Sequence, residues 1–161
     1  MKKLFFIIIA FFFMLSINAQ EFEGLEQGDK EISFNGFIIA SEGITMGNVF
    51  FSFGTYITEK LLVGAAPTLT IGSGVTDFGA QVFGTYNFTN GKPAFPYVKA
   101  QYYQYSFTSG DFASNGFLQA GAGYKTFFSD KLAWDTSATF GMNLGFDYGL
   151  FMIMTGLTFV W

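Results

Sequence analysis

The chain has 161 residues, enough for one domain, with 21% aromatic and only 12% charged residues and a net charge of −4. A soluble domain usually carries about a quarter charged residues, so this composition is poorly suited to a wetted surface. Cysteine is absent, which excludes disulfides, thiolate metal sites and a lipoprotein attachment site. Histidine is absent too, which removes an imidazole base and His-ligated zinc.

In chain order, Met1-Lys2-Lys3 is a basic start, and Leu4 to Ile17 is an apolar run broken only by Ser16. "INAQ" then offers Ala19 and Ile17 as the small and apolar positions before cleavage at Gln20. Residues 1–19 read as a secretory signal peptide, since the run is too short for a membrane helix. The acidic stretch "EFEGLEQGD" follows. Residues 20–30 are expected to form a periplasmic leader, solvated and mobile rather than a docking tail. Loss of Lys2 and Lys3 leaves the mature chain more acidic still, and with no arginine present a nucleic-acid partner is not expected.

From about residue 31 the pattern has period two, in segments of about ten residues. Eight strands are predicted, near 31–40, 48–57, 61–71, 77–88, 95–107, 115–128, 132–143 and 149–161. In "VFFSFGTYIT", Val49, Phe51, Phe53 and Ile57 share one face, and Ser52, Gly54 and Tyr56 the other. In "LAWDTSATFGMN", Trp134, Ala138, Phe140 and Met142 oppose Asp135, Ser137, Thr139 and Asn143. Pro67 lacks the N–H of a ladder residue, so it should mark a bulge or a missing bond. "YITEKLLVG" and "FFSDKLAWD" repeat one turn chemistry, three residues between outward Ile57 and Leu61 and between outward Phe128 and Leu132.

Strands of this length and alternation, even in number, define an all-β, closed, antiparallel, eight-stranded up-and-down transmembrane β-barrel over residues 31–161. In lipid every backbone group must be paired, so the last strand closes on the first. Leu157, Phe159 and Trp161 then lie on its outer face, with Trp161 at the membrane interface. An even strand number puts both mature termini on the periplasmic side.

The segments "GTYITEKLLVG", "QVFGTYNF", "FPYVKAQYYQYSF" and "GAGYKTFFSDKLAWD" resemble the small outer-membrane β-barrel proteins of Bacteroidota, with an eight-stranded, OmpA/OmpX-type barrel. That family often shows Gly-Tyr-Phe-x-x-Asp-Asn-Leu-x-x-Gly at its first periplasmic hairpin. Gly54, Tyr56, Ile57, Glu59, Leu61 and Gly64 follow it, with Thr55 inserted and Lys60 in place of Asn. The resemblance implies an outer-membrane address. Leu157, Phe159 and Trp161 resemble the signal read by the barrel-assembly machinery, and that machinery, outer-membrane lipid and lipopolysaccharide are the implied partners. The small barrels that are enzymes use a histidine, so no catalysis and no cofactor are expected here.

The inward face should carry Asn35, Ser52, Tyr56, Gln81, Lys99, Gln101, Tyr103, Gln119, Lys125, Asp135 and Ser137. The "SDK" turn sets Lys125 opposite Asp135, with Lys99 at a similar height. This predicts a lumen salt bridge, structural rather than ion-binding, in an interior just wide enough to fill with side chains. Inward Gly54, Gly64, Gly121, Gly123, Gly141 and Gly156 should make room for Tyr56, Phe83, Tyr103 and Tyr105. Glu42, Asp77, Asp111 and Asp147 mark one acid in each looser connection, an acidic rim that divalent cations could bridge to lipopolysaccharide. The expected role is structural or interactive: membrane integrity, or a subunit of an envelope assembly. The alternative is a secreted, soluble barrel holding a small apolar ligand, as lipocalins do.

Overall fold

A computed structural model describes residues 22, 24–41, 44–72, 75–107, 116–145 and 149–161; the expected signal peptide lies outside them. Eight strands follow one another: β1 (Lys30–Ser41), β2 (Ile44–Tyr56), β3 (Leu61–Gly72), β4 (Val75–Asn87), β5 (Ala94–Gln104), β6 (Gly116–Phe127), β7 (Leu132–Asn143) and β8 (Gly149–Val160). Each pairs antiparallel with the next, and β8 closes on β1. Period-two alternation explains the closure. A strand with two unlike faces needs one inside and one outside, and a closed sheet leaves no edge.

Two of the three turns at one end, called the lower end here, share a single device. Thr58 Oγ1 accepts from the backbone N–H groups of Lys60 and Leu61 at 3.2 and 3.0 Å. Ser129 Oγ does the same for Lys131 and Leu132 at 3.4 and 3.2 Å. In both turns the flanking residues close the hairpin, Ile57 N–H to Leu61 O and Phe128 N–H to Leu132 O, each 2.8 Å. The sequence repeat is therefore a repeat of hydrogen bonding.

Pro67 interrupts the β2–β3 ladder. Pairing stops at Phe50↔Thr68 and resumes in the same register at Phe53↔Ala65. It is a missing bond rather than a bulge, because no residue is inserted. On its other side Pro67 pairs with Ala80 normally. The true irregularity lies at the upper end of β5. The β4–β5 ladder ends at Ala80↔Gln104, and Phe107 N–H then reaches Phe78 O at 3.0 Å. Two residues, Tyr105 and Ser106, thus face one, Gly79, as in a bulge. The strand expected to run to residue 107 stops at Gln104 for this reason.

The distribution of side chains is inverted relative to a soluble protein. Phe34, Phe78, Leu118, Phe140, Phe151 and Ile153 stand 57–60% exposed on the outside. Inside, Ser33, Asn48, Ser52, Gln81, Gln101, Gln119 and Thr139 are buried. Two apolar clusters cap this polar interior. The lower one holds Tyr56, Leu62, Phe95, Phe127, Ala133 and Val160. The upper one holds Phe50, Tyr103, Phe117, Met152 and Met154.

The segment before β1 departs from the expected free leader. Leu25 is buried in the lower cluster, and Phe22 packs on Phe95 and Phe127 at ring centroid distances of 6.1 and 4.7 Å. Gly28 N–H donates to Tyr56 O and Tyr56 N–H to Asp29 O, both at 2.8 Å. Gly24 and Gly28 adopt φ of 98° and 99°, which lets the chain fold back under the barrel. Two apolar residues spaced three apart gain more from the aromatic mouth than from water, despite the acids around them.

Candidate functional site

Just above the lower cluster lies the concentration of charge. Glu31 enters from β1, Tyr56 from β2, Tyr97 and Lys99 from β5, Lys125 from β6 and Asp135 from β7. All come from inward positions of their strands. The register sets Lys125 directly opposite Asp135, as the turn predicts. The ion pair, however, is made elsewhere. Lys125 Nζ reaches Glu31 Oε2 at 2.5 Å, with both side chains buried.

The geometry explains this correction. A ladder partner lies close beside the lysine stem, and an aspartate is too short to meet the ammonium at the far end of that stem. The ammonium extends across the lumen to β1 instead. There Tyr56 OH donates to the same Oε2 at 2.7 Å, and Ser33 Oγ donates to Oε1 at 3.2 Å. Asp135 is satisfied by Tyr97 OH, which donates at 2.6 Å. Lys99 lines the same polar void and lies over the Phe83 ring, 4.7 Å from its centroid. Two lysines thus balance two carboxylates. Burial of uncompensated charge is costly, and one contact ion pair together with this balance of charge makes the layer tolerable.

The void among these groups is about 20 Å³, room for one water and no more. Above it Gln101 Nε2 donates to Gln119 Oε1 at 2.5 Å, and Thr70 Oγ1 donates to Asn48 Oδ1 at 2.5 Å. Among the described residues no group of three or more His, Cys, Asp or Glu has a metal-binding arrangement.

Glu31 and Tyr97 escaped the sequence reading. Both carried a signal: Glu31 alternates in phase with Ser33 and Asn35, and Tyr97 with Lys99 and Gln101. Tyr97 pairs with Gly123, whose missing Cβ leaves the space its ring occupies. Gly64 likewise underlies Phe83, as expected. Of the four acids expected on a rim, Asp77 lies within β4, buried and facing the lumen, because its strand begins two residues earlier than the sequence suggested. Glu42, Asp111 and Asp147 lie outside the described residues. At the closing seam Lys30 and Trp161 exchange backbone bonds, N–H to O, of 2.9 and 3.0 Å. The Trp161 ring stacks on Phe159 on the outer face, 5.7 Å between centroids, and Leu157 is exposed beside them.

This architecture is that of the eight-stranded barrels of bacterial outer membranes. It is similar to the crystal structure of the N-terminal β-barrel domain of Pseudomonas aeruginosa OprF, with a TM-score of 0.64 and 20% identity, covering 84% of this chain and 98% of that one. It is also similar to a de novo designed transmembrane β-barrel, with a TM-score of 0.58 and 14% identity over 86% and 99% of the two chains. At such identities the likeness is one of fold. No family model and no curated protein matches the chain.

Proposed function

We propose that the protein is an integral outer-membrane β-barrel of the small Bacteroidota type, with a plugged lumen, a structural or interactive role in the envelope and no catalytic activity. The inverted distribution of side chains carries this reading. An outer face of Phe, Leu, Ile and Val around a polar, hydrogen-bonded interior suits a hydrocarbon surround. A lipocalin-like carrier needs the opposite arrangement. The Lys125–Glu31 strut and the void of about 20 Å³ support the plug, as does the leader packed under the mouth. With the tight turns and both mature termini on the periplasmic side, Leu157, Phe159 and Trp161 are available to the assembly machinery as the barrel closes. Lipid and lipopolysaccharide surround the outer face.

Fractionation with carbonate washing tests the address. The protein should stay with the outer membrane and need detergent for release, whereas a soluble monomer would overturn the reading. In planar bilayers the purified barrel should show no steady conductance. A stable open level would refute the plug.

A further inference from the structure

The barrel is not closed evenly. β1 pairs with β2 along its whole length, to Ser41↔Ile44, and β8 pairs with β7 up to Met142↔Gly149. Between β1 and β8, however, the ladder runs only from Glu31↔Val160 to Gly36↔Thr155. Above that point the edges Phe37–Ser41 and Gly149–Met154 face each other without a ladder. A cleft of about 760 Å³ lies on the outer face where the ladder stops, around Gly36 and Thr155. Outward Phe34, Val49, Ile153 and Leu157 wall it, and it reaches Phe37 and Asn48, which belong to the inward face. Phe37 packs on the upper cluster of Phe50, Met152 and Met154.

Two features restrict what the cleft accepts. Its walls are apolar and continuous with the exposed outer face, so whatever bathes that face enters it. Its upper margins are strand edges, whose backbone N–H groups need acceptors at membrane depth. A hydrocarbon chain alone meets only the first condition, and water only the second. A chain bearing an ester or amide carbonyl meets both. Its linkage lies against the strand edges near the rim, and its tail runs down toward Gly36 and Thr155.

We propose that the β1–β8 seam is a lateral binding site for one acyl chain of a membrane lipid, entered from the outer face and reaching inward as far as Phe37. This rests on the membrane reading above. It is compatible with a lumen plugged below, since the charged layer lies beneath the cleft.

The test uses the full mature protein in phospholipid vesicles containing a phosphatidylethanolamine with a photoreactive diazirine in one acyl chain. Adducts are mapped by mass spectrometry. The expected result is saturable labelling of the inward residue Phe37, one adduct per barrel, beside non-saturating labelling of outward Phe34, Ile153 and Leu157. Labelling of the outward residues alone would show that lipid merely bathes the surface, and would overturn the site while leaving the membrane address standing. No labelling of either set would remove the membrane reading itself. Crosslinked dimers at the seam in place of lipid adducts would identify a second copy as the occupant and also overturn the proposal. A Thr155→Trp variant fills the cleft from its exposed floor. In folded, heat-modifiable barrel it should lower labelling of Phe37 several-fold and leave the distant outward Phe78 and Phe140 unchanged; undiminished labelling of Phe37 would count against the site.

Discussion

Lys125 and Glu31 are 94 residues apart in sequence and 2.5 Å apart in space, joined across the lumen from β6 to β1. Each is buried. The pair ties together two walls of the barrel that share no ladder.

The pair and the ladder partner make different predictions. Glu31→Ala strands a buried ammonium and should cost about 3–5 kcal/mol. Asp135→Ala breaks no contact ion pair, but it removes the charged acceptor of Tyr97 OH and leaves two lysines against one carboxylate, and should cost about 1.5–3 kcal/mol. The double change Glu31→Gln with Lys125→Met should recover much of the first loss. Urea unfolding in vesicles measures all three. A larger loss for Asp135 than for Glu31 would contradict the assignment of the ion pair.

The leader is part of the folded body. Leu25→Ala should destabilise by roughly 2 kcal/mol, the lower end for a buried leucine, because the site lies at the mouth. It should also speed proteolytic trimming before residue 30. Protease resistance equal to that of the unmodified protein would argue that the leader is held by its backbone bonds alone.

An inward glycine, Gly123, and an outward one, Gly84, are expected to behave differently. At Gly123 a Cβ would meet the Tyr97 ring and the Thr136 carbonyl, while at Gly84 it would meet nothing. Gly123→Ala should therefore lose about 1–3 kcal/mol through overpacking. Gly84→Ala should stay within about 0.5 kcal/mol of the parent. Equal thermal midpoints for the two variants would show that Tyr97 can move aside freely.

Deleting Trp161 removes both of its backbone bonds to Lys30 and the outward ring stacked on Phe159. Folded yield in vivo and the rate of assembly into vesicles should both fall. The β1–β8 ladder has only six pairs, against twelve for β1–β2, so this seam has the least reserve. Unchanged assembly kinetics would deny Trp161 the anchoring role.

The number of strands, their direction and the face of nearly every residue were legible in the sequence. These follow from local rules: period-two alternation is written residue by residue, and a Thr or Ser turn closes on neighbours three positions away. The opposition of Lys125 and Asp135 was also legible, because a hairpin register follows from its turn. The partner that Lys125 chooses was not. That choice depends on the barrel's width and on how far a lysine stem reaches across it, and both exist only after closure. The same holds for Phe22 and Leu25, whose sequence context is acidic and reads as solvated until an aromatic mouth is present to cover them. The half-open seam between β1 and β8 is the clearest case. Its two edges lie at opposite ends of the described chain, and no local pattern in either strand shows where the ladder between them stops. The sequence by itself determined a closed barrel with an apolar exterior and a polar interior, and only the tertiary structure decided which charges meet and where the wall stays open.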